Sequence, residues 1–114
     1  MKKRVVVTGL GIVSPLGLDS KANEEALFNG HSGVDFIKSF TPDDDFPVKI
    51  AGEVKGFDPN NYIDHKDIKK MDRFIHYAMA CSNMAMDESG LEINDSNAER
   101  VGVIIGVGLG GLPA

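Results

Sequence analysis

The sequence predicts an α/β fold, and three observations carry that prediction. Residues 4–17, RVVVTGLGIVSPLG, set a β-branched run (Val5, Val6, Val7, Thr8) ahead of a glycine-punctuated turn. Residues 100–111, RVGVIIGVGLGG, show the same arrangement. Between them, residues 71–88 carry apolar side chains at three- and four-residue spacing. Val, Ile and Thr are stiff at χ1 and suit a pleated strand, whereas the wider spacing marks a helix with one apolar face. Near-continuous apolar runs, rather than alternating ones, predict strands covered on both sides.

Bulk composition narrows the function classes. A chain of 114 residues that is 42% hydrophobic is long enough for one ordinary domain with a core. Twelve Lys and Arg against 17 Asp and Glu leave a formal charge of −5, which argues against wholesale nucleic-acid binding. No apolar run reaches the ~18 residues of a membrane-spanning helix. A single cysteine, Cys81, has no internal disulfide partner and fits a reducing, cytoplasmic setting. MKKR followed by VVVTGLGIV has the outline of a secretory signal. Gly9, Gly11, Ser14, Pro15 and Gly17 interrupt its apolar segment, however, so a buried first strand is the reading.

Each element follows in order. Asp19 or Ser20 caps a helix over 22–27, with Glu24 and Glu25 complementing its N-terminal dipole and Asn29-Gly30 ending it. Residues 31–45 read as a loop anchored by Val34, Phe36, Ile37 and Phe40. Its carboxylates Asp43, Asp44 and Asp45 are adjacent and cannot converge on a metal. VKIAGEV at 48–54 alternates apolar and polar residues as a short, half-exposed strand does. Residues 57–61 are a turn cluster. The helix over 71–88 places Phe74, Ile75, Ala78, Cys81, Ser82, Ala85 and Met86 on one small apolar face, and Gly90 is its C-cap. A polar connection over 91–99, anchored by Ile93, leads into a second buried strand at 101–107. The expected order is strand, helix, loop, strand, helix, strand.

Four motifs bear on chemistry. Residues 106–111 satisfy G-x-G-x-x-G after a predicted strand, the pattern that brings backbone N–H groups to a pyrophosphate. That fingerprint also needs a following helix and an acidic residue about 20 positions on. Glycines that shape a strand-end turn are therefore preferred, with a dinucleotide-binding α/β domain as the alternative. Cys81 falls mid-helix on the apolar face, away from any cation or helix N-terminus that would activate a thiol, and reads as a core residue. His31, His65 and His76 lack metal-ligand spacing and read as surface or capping residues. Lys66, Lys69, Lys70 and Arg73 stand at i, i+3, i+4 and i+7, so a helix through them shows one cationic face, partly balanced by Asp67 and Asp72. Two readings stay open: a solvated surface face, or a face that draws an acidic partner or a phosphate.

The opening RVVVTGLGIVSPLG, the Asn29-Gly30-x-Ser32-Gly33-Val34 segment, KKMDRF at 69–74, the Asp87-Glu88-Ser89-Gly90 helix end and GVIIGVGLGGL at 102–112 resemble β-ketoacyl-[acyl-carrier-protein] synthases. These are the condensing enzymes, and the likeness is closest to those of type II. It runs the length of the chain, in order and at the family's spacing. The resemblance implies a thiolase-like fold, of which this chain is part of the N-terminal half: mixed sheet with packed helices, incomplete here. It implies a homodimer that needs no cofactor and engages acyl- and malonyl-loaded acyl carrier protein, without nucleic acid or membrane.

The chemistry so implied is decarboxylative Claisen condensation through an acyl-cysteine. The resemblance puts that cysteine, and the two histidines that assist it, beyond residue 114. The segment alone is then expected to be inert, with no catalytic residue of its own. Carried over residue by residue, Lys66, Lys69 and Lys70 match the positions that receive acyl carrier protein, and Gly108 and Leu109 match the gate of the acyl pocket. Leucine stands where isoleucine is common in type II enzymes. A non-catalytic module that binds carrier protein through its basic face is a further alternative. The segment is also expected not to fold stably by itself, because its two buried strands need neighbours.

Overall fold

Asp19 opens the first helix as expected. In the computed structural model, which describes residues 1–111, α1 (Ser20–Phe28) begins where Asp19 turns extended and its carboxylate accepts the Ala22 N–H at 2.8 Å. The side chain of Asn23, buried within this helix, donates to the carbonyls of Gly17 at 2.9 Å and Asp19 at 2.8 Å, and its oxygen accepts from the Ser14 hydroxyl. One amide thus ties the turn over 14–19 to the helix, and its polar atoms are satisfied despite burial. The helix ends at Asn29, as the sequence predicts.

The chain forms two compact units, Gly11–Asp58 and Met1–Leu10 with Pro59–Ala114. In the first, β1 (Val34–Phe36) pairs antiparallel with β2 (Ile50–Gly52) in the register Val34↔Gly52, Asp35↔Ala51, Phe36↔Ile50. The second strand is the one expected within 48–54; the first lies in the stretch read as loop. The connecting loop is stapled by charge. The Glu53 carboxylate accepts the N–H groups of Lys38 at 2.8 Å and Ser39 at 3.0 Å, while the Lys49 ammonium donates to the Asp43 and Asp44 carbonyls. The rings of Phe40 and Phe46 meet edge to face with centroids 5.6 Å apart.

Hydrogen bonds from the Ser39 hydroxyl and from the Lys38 and Ser39 backbone hold the Glu53 carboxyl below the usual carboxylate range. The Phe36 N–H, then Lys38 and Lys55, do the same for Asp35.

In the second unit, a 3₁₀ turn at Pro59–Asn61 leads to α2 (His65–Ile68) and then α3 (Arg73–Ser89). Gly90 closes α3 at φ 63°, a left-handed conformation that L side chains rarely adopt, and its N–H reaches the carbonyls of Met86 and Asp87. A second 3₁₀ turn, Ala98–Arg100, lies in the predicted polar connection.

The two valine-rich runs depart from expectation. Neither residues 4–10 nor 101–107 join a ladder, and β1–β2 is the sole sheet among the described residues. Val5 is 92% exposed and Ile104 96%, the condition of interior-strand sequences without neighbouring strands. The apolar residues that are buried among those described are small or single: Ala26, Ile63 and Ala80. Leu112, the last residue of the 102–112 motif, lies outside the described residues.

Both runs nevertheless meet α3. A Cβ at Gly9 would overlap the Ala85 carbonyl, so glycine is what permits the contact, and the Leu10 N–H donates to the Glu88 carboxylate. Nearer the start of α3, Phe74, Ile75, Ala78 and Ser82 face Val103 and Ile105 across an open apolar groove of about 360 Å³. These are members of the predicted apolar face. Ser82 spends its hydroxyl on the Ala78 carbonyl at 2.7 Å, leaving the groove apolar. Ala80, at 0% exposure, lies outside that face, so α3 is covered on a second side that periodicity did not mark.

Candidate functional site

The basic segment does not form one helix. α2 spans four residues and ends at Ile68, with Lys69 as its C-cap; Met71 N–H still reaches the Ile68 carbonyl at 3.3 Å. Asp72 then turns extended at φ −72°, ψ 159°, and α3 begins at Arg73. The i, i+3, i+4, i+7 face expected for Lys66, Lys69, Lys70 and Arg73 is therefore divided at a corner. The break falls at Asp72, whose extended backbone takes the N-cap position of α3 without a side-chain cap bond.

His76 holds that corner. Its Nε2–H donates to the Ile68 carbonyl at 3.0 Å, joining the first turn of α3 to the last residue of α2. A ring bonded to a carbonyl eight residues back has no short-range signature, and sequence reasoning missed it. His65 lies before the corner, its Nδ1 3.1 Å from the Asn60 side-chain oxygen.

The four cations differ in their partners. Lys66 pairs with Asp64 at 3.8 Å and Lys70 with Asp67 at 2.8 Å. Exposed pairs of this kind contribute little to stability, but they cancel much of the local charge. Among the described residues, no ion pair forms at Lys69 or Arg73, and both side chains are exposed.

Gly108 and Leu109 occupy a bend after the second valine-rich run, with Leu109 77% exposed. The following glycines rest on the start of α3. A Cβ at Gly110 would stand 3.6 Å from the Phe74 ring, and the Asp72 side chain fills the space where a Cβ at Gly111 would be. Gly110 and Gly111, which follow the 108–109 bend, thus meet the N-terminal end of α3, and Lys69 and Lys70 directly precede that helix in the chain. The same geometry weakens a phosphate reading of 106–111, since a carboxylate stands against Gly111 where an anion would approach.

Among the described residues, no three His, Cys, Asp or Glu side chains converge as metal ligands. Cys81, read from the sequence as a core residue, is only half-buried within α3. Among the described residues, no helix is long and apolar enough to cross a membrane.

Comparison with known proteins decides the family. The model of the β-ketoacyl synthase N-terminal domain matches residues 2–113. The chain belongs to the β-ketoacyl synthase family. Within that family it is similar to 3-oxoacyl-[acyl-carrier-protein] synthase 2 of Coxiella burnetii, at 51% identity over 98% of this chain and 27% of that protein. The protein of the same name from Vibrio cholerae is 48% identical over 97% of this chain and 27% of its own length. This chain therefore spans about a quarter of the curated relatives it matches. Among solved structures it is similar to the ishigamide ketosynthase/chain length factor, with TM-score 0.69 and 34% identity over 76% of this chain and 21% of that one.

Proposed function

We propose that this segment belongs to a type II 3-oxoacyl-[acyl-carrier-protein] synthase that elongates fatty acyl chains. The observation that carries the reading is the match at 51% identity over 98% of the chain to a synthase of that name. In the reaction, a cysteine thiolate takes the acyl group from its carrier. Malonyl-carrier protein loses carbon dioxide, and the enolate carbon attacks the acyl thioester, releasing the thiolate. Two histidines and an oxyanion hole of backbone N–H groups stabilise the charge that develops.

These groups, and the strands that flank 4–10 and 101–107 in a thiolase-like homodimer, belong to sequence beyond residue 114. This segment supplies Lys66, Lys69 and Lys70 to receive the acidic carrier protein, and Gly108 and Leu109 to gate the acyl pocket. The protein works in the cytoplasm without a cofactor. The contact of Gly110 and Gly111 with the start of α3, next in the chain to Lys69 and Lys70, supports a route from docking to gate.

The test uses the full-length protein with acyl- and malonyl-loaded carrier. The expected result is one carbon dioxide released for each 3-oxoacyl product, detected by mass spectrometry. Carrier binding without carbon dioxide release would favour a non-catalytic carrier-binding module instead.

A further inference from the structure

We propose that Arg73 is a further contact for the acidic carrier protein, acting beside Lys69 across the α2–α3 corner. The inference rests on the synthase reading and extends it to a residue that the three-lysine set omits. Lys66 and Lys70 each have a carboxylate within 4 Å, at 3.8 and 2.8 Å, whereas Lys69 and Arg73 have none among the described residues. Of the four cations in residues 66–73, these two are thus the ones left without a carboxylate neighbour among the described residues.

Arg73 is moreover placed where its charge is disfavoured. It is the first residue of α3, and a helix N-terminus repels cations. The one adjacent carboxylate, Asp72, lies against Gly111 and makes no ion pair with it. An external carboxylate would satisfy this arginine, and the planar guanidinium suits two-point contact with one. The His76 bond to the Ile68 carbonyl ties the residue before Lys69 to the first turn of α3, so Lys69 and Arg73 flank a clamped corner rather than a loose loop.

The experiment measures carrier affinity and kinetics in the full-length synthase. Arg73→Ala should raise KM for acyl-carrier protein about threefold, and Arg73→Glu about tenfold at low salt. High salt should shrink both effects, Arg73→Lys should recover most of the affinity, and the loss should exceed that seen with an acyl-pantetheine thioester lacking the protein. Lys69→Glu serves as the companion variant. If Lys69→Glu weakens docking and Arg73→Glu does not at any salt concentration, the Arg73 contact is wrong while the docking reading stands. If neither variant moves KM or carrier affinity, the docking reading itself fails. An equal loss with both substrates, insensitive to salt, would make Arg73 a structural residue and also overturn the proposal.

Discussion

Helix α3 and the two valine-rich runs beside it have equally strong sequence signals and opposite outcomes. The helix forms with the predicted C-cap, whereas residues 4–10 and 101–107 stay outside any ladder and expose their valines and isoleucines. A helix satisfies its backbone hydrogen bonds within its own seventeen residues. A strand satisfies them only through neighbours, so its formation depends on sequence elsewhere. What α3 offers the runs is a surface: a close approach at Gly9 and Ala85, and an apolar groove toward Val103 and Ile105.

The comparison is broken most severely by isolating the segment. Residues 1–114 alone should show helical circular dichroism without a cooperative thermal transition, because no large apolar side chain among those described is fully buried. A sharp calorimetric transition would show that the runs need no neighbours. The next effect tests whether the first run docks on α3. Gly9→Ala in the full-length protein should cost about 1–3 kcal/mol in urea denaturation, since the new methyl meets backbone rather than a movable side chain.

A self-contained element should respond less. Asp19→Ala removes the cap bond to Ala22 and should cost about 1 kcal/mol by the same measurement, with Asp19→Asn retaining most of it.

The smallest effect lies in the hairpin loop. Glu53 has its carboxyl pKa lowered in the fold, so its contribution is present above the ordinary carboxylate range and is lost as pH falls through the lowered value. Amide exchange at Lys38 and Ser39, followed by NMR, should accelerate relative to α1 amides in that acid window. Glu53→Gln should remove the pH dependence. Protection unchanged through acid would remove the carboxylate staple from the account.

Some features were legible because they are local. Asp19 before a helix, Asn29 and Gly90 at helix ends and the alternation around Ile50 each act within a few residues, and each stands where expected. The alternation Val34-Asp35-Phe36 was available too, but three residues between turn formers are too few to separate a strand from an anchored loop. The basic face failed for a different reason. Charge spacing assumed one helix through residues 66–73, while Asp72 carried the opposite signal as an N-cap.

The sequence by itself determined the family, the two main helices, the cap that opens α1 and the residues that close both helices. Only the tertiary structure decided that α2 stops at Ile68, that His76 clamps the corner, that Lys66 and Lys70 have carboxylate partners while Lys69 and Arg73 have none among the described residues, and that Gly110 and Gly111 rest against the start of α3. The division is physical. Helix caps and turns are written in neighbouring residues, whereas ladder partners, ion pairs and bonds to a carbonyl eight residues away depend on where the chain returns in space.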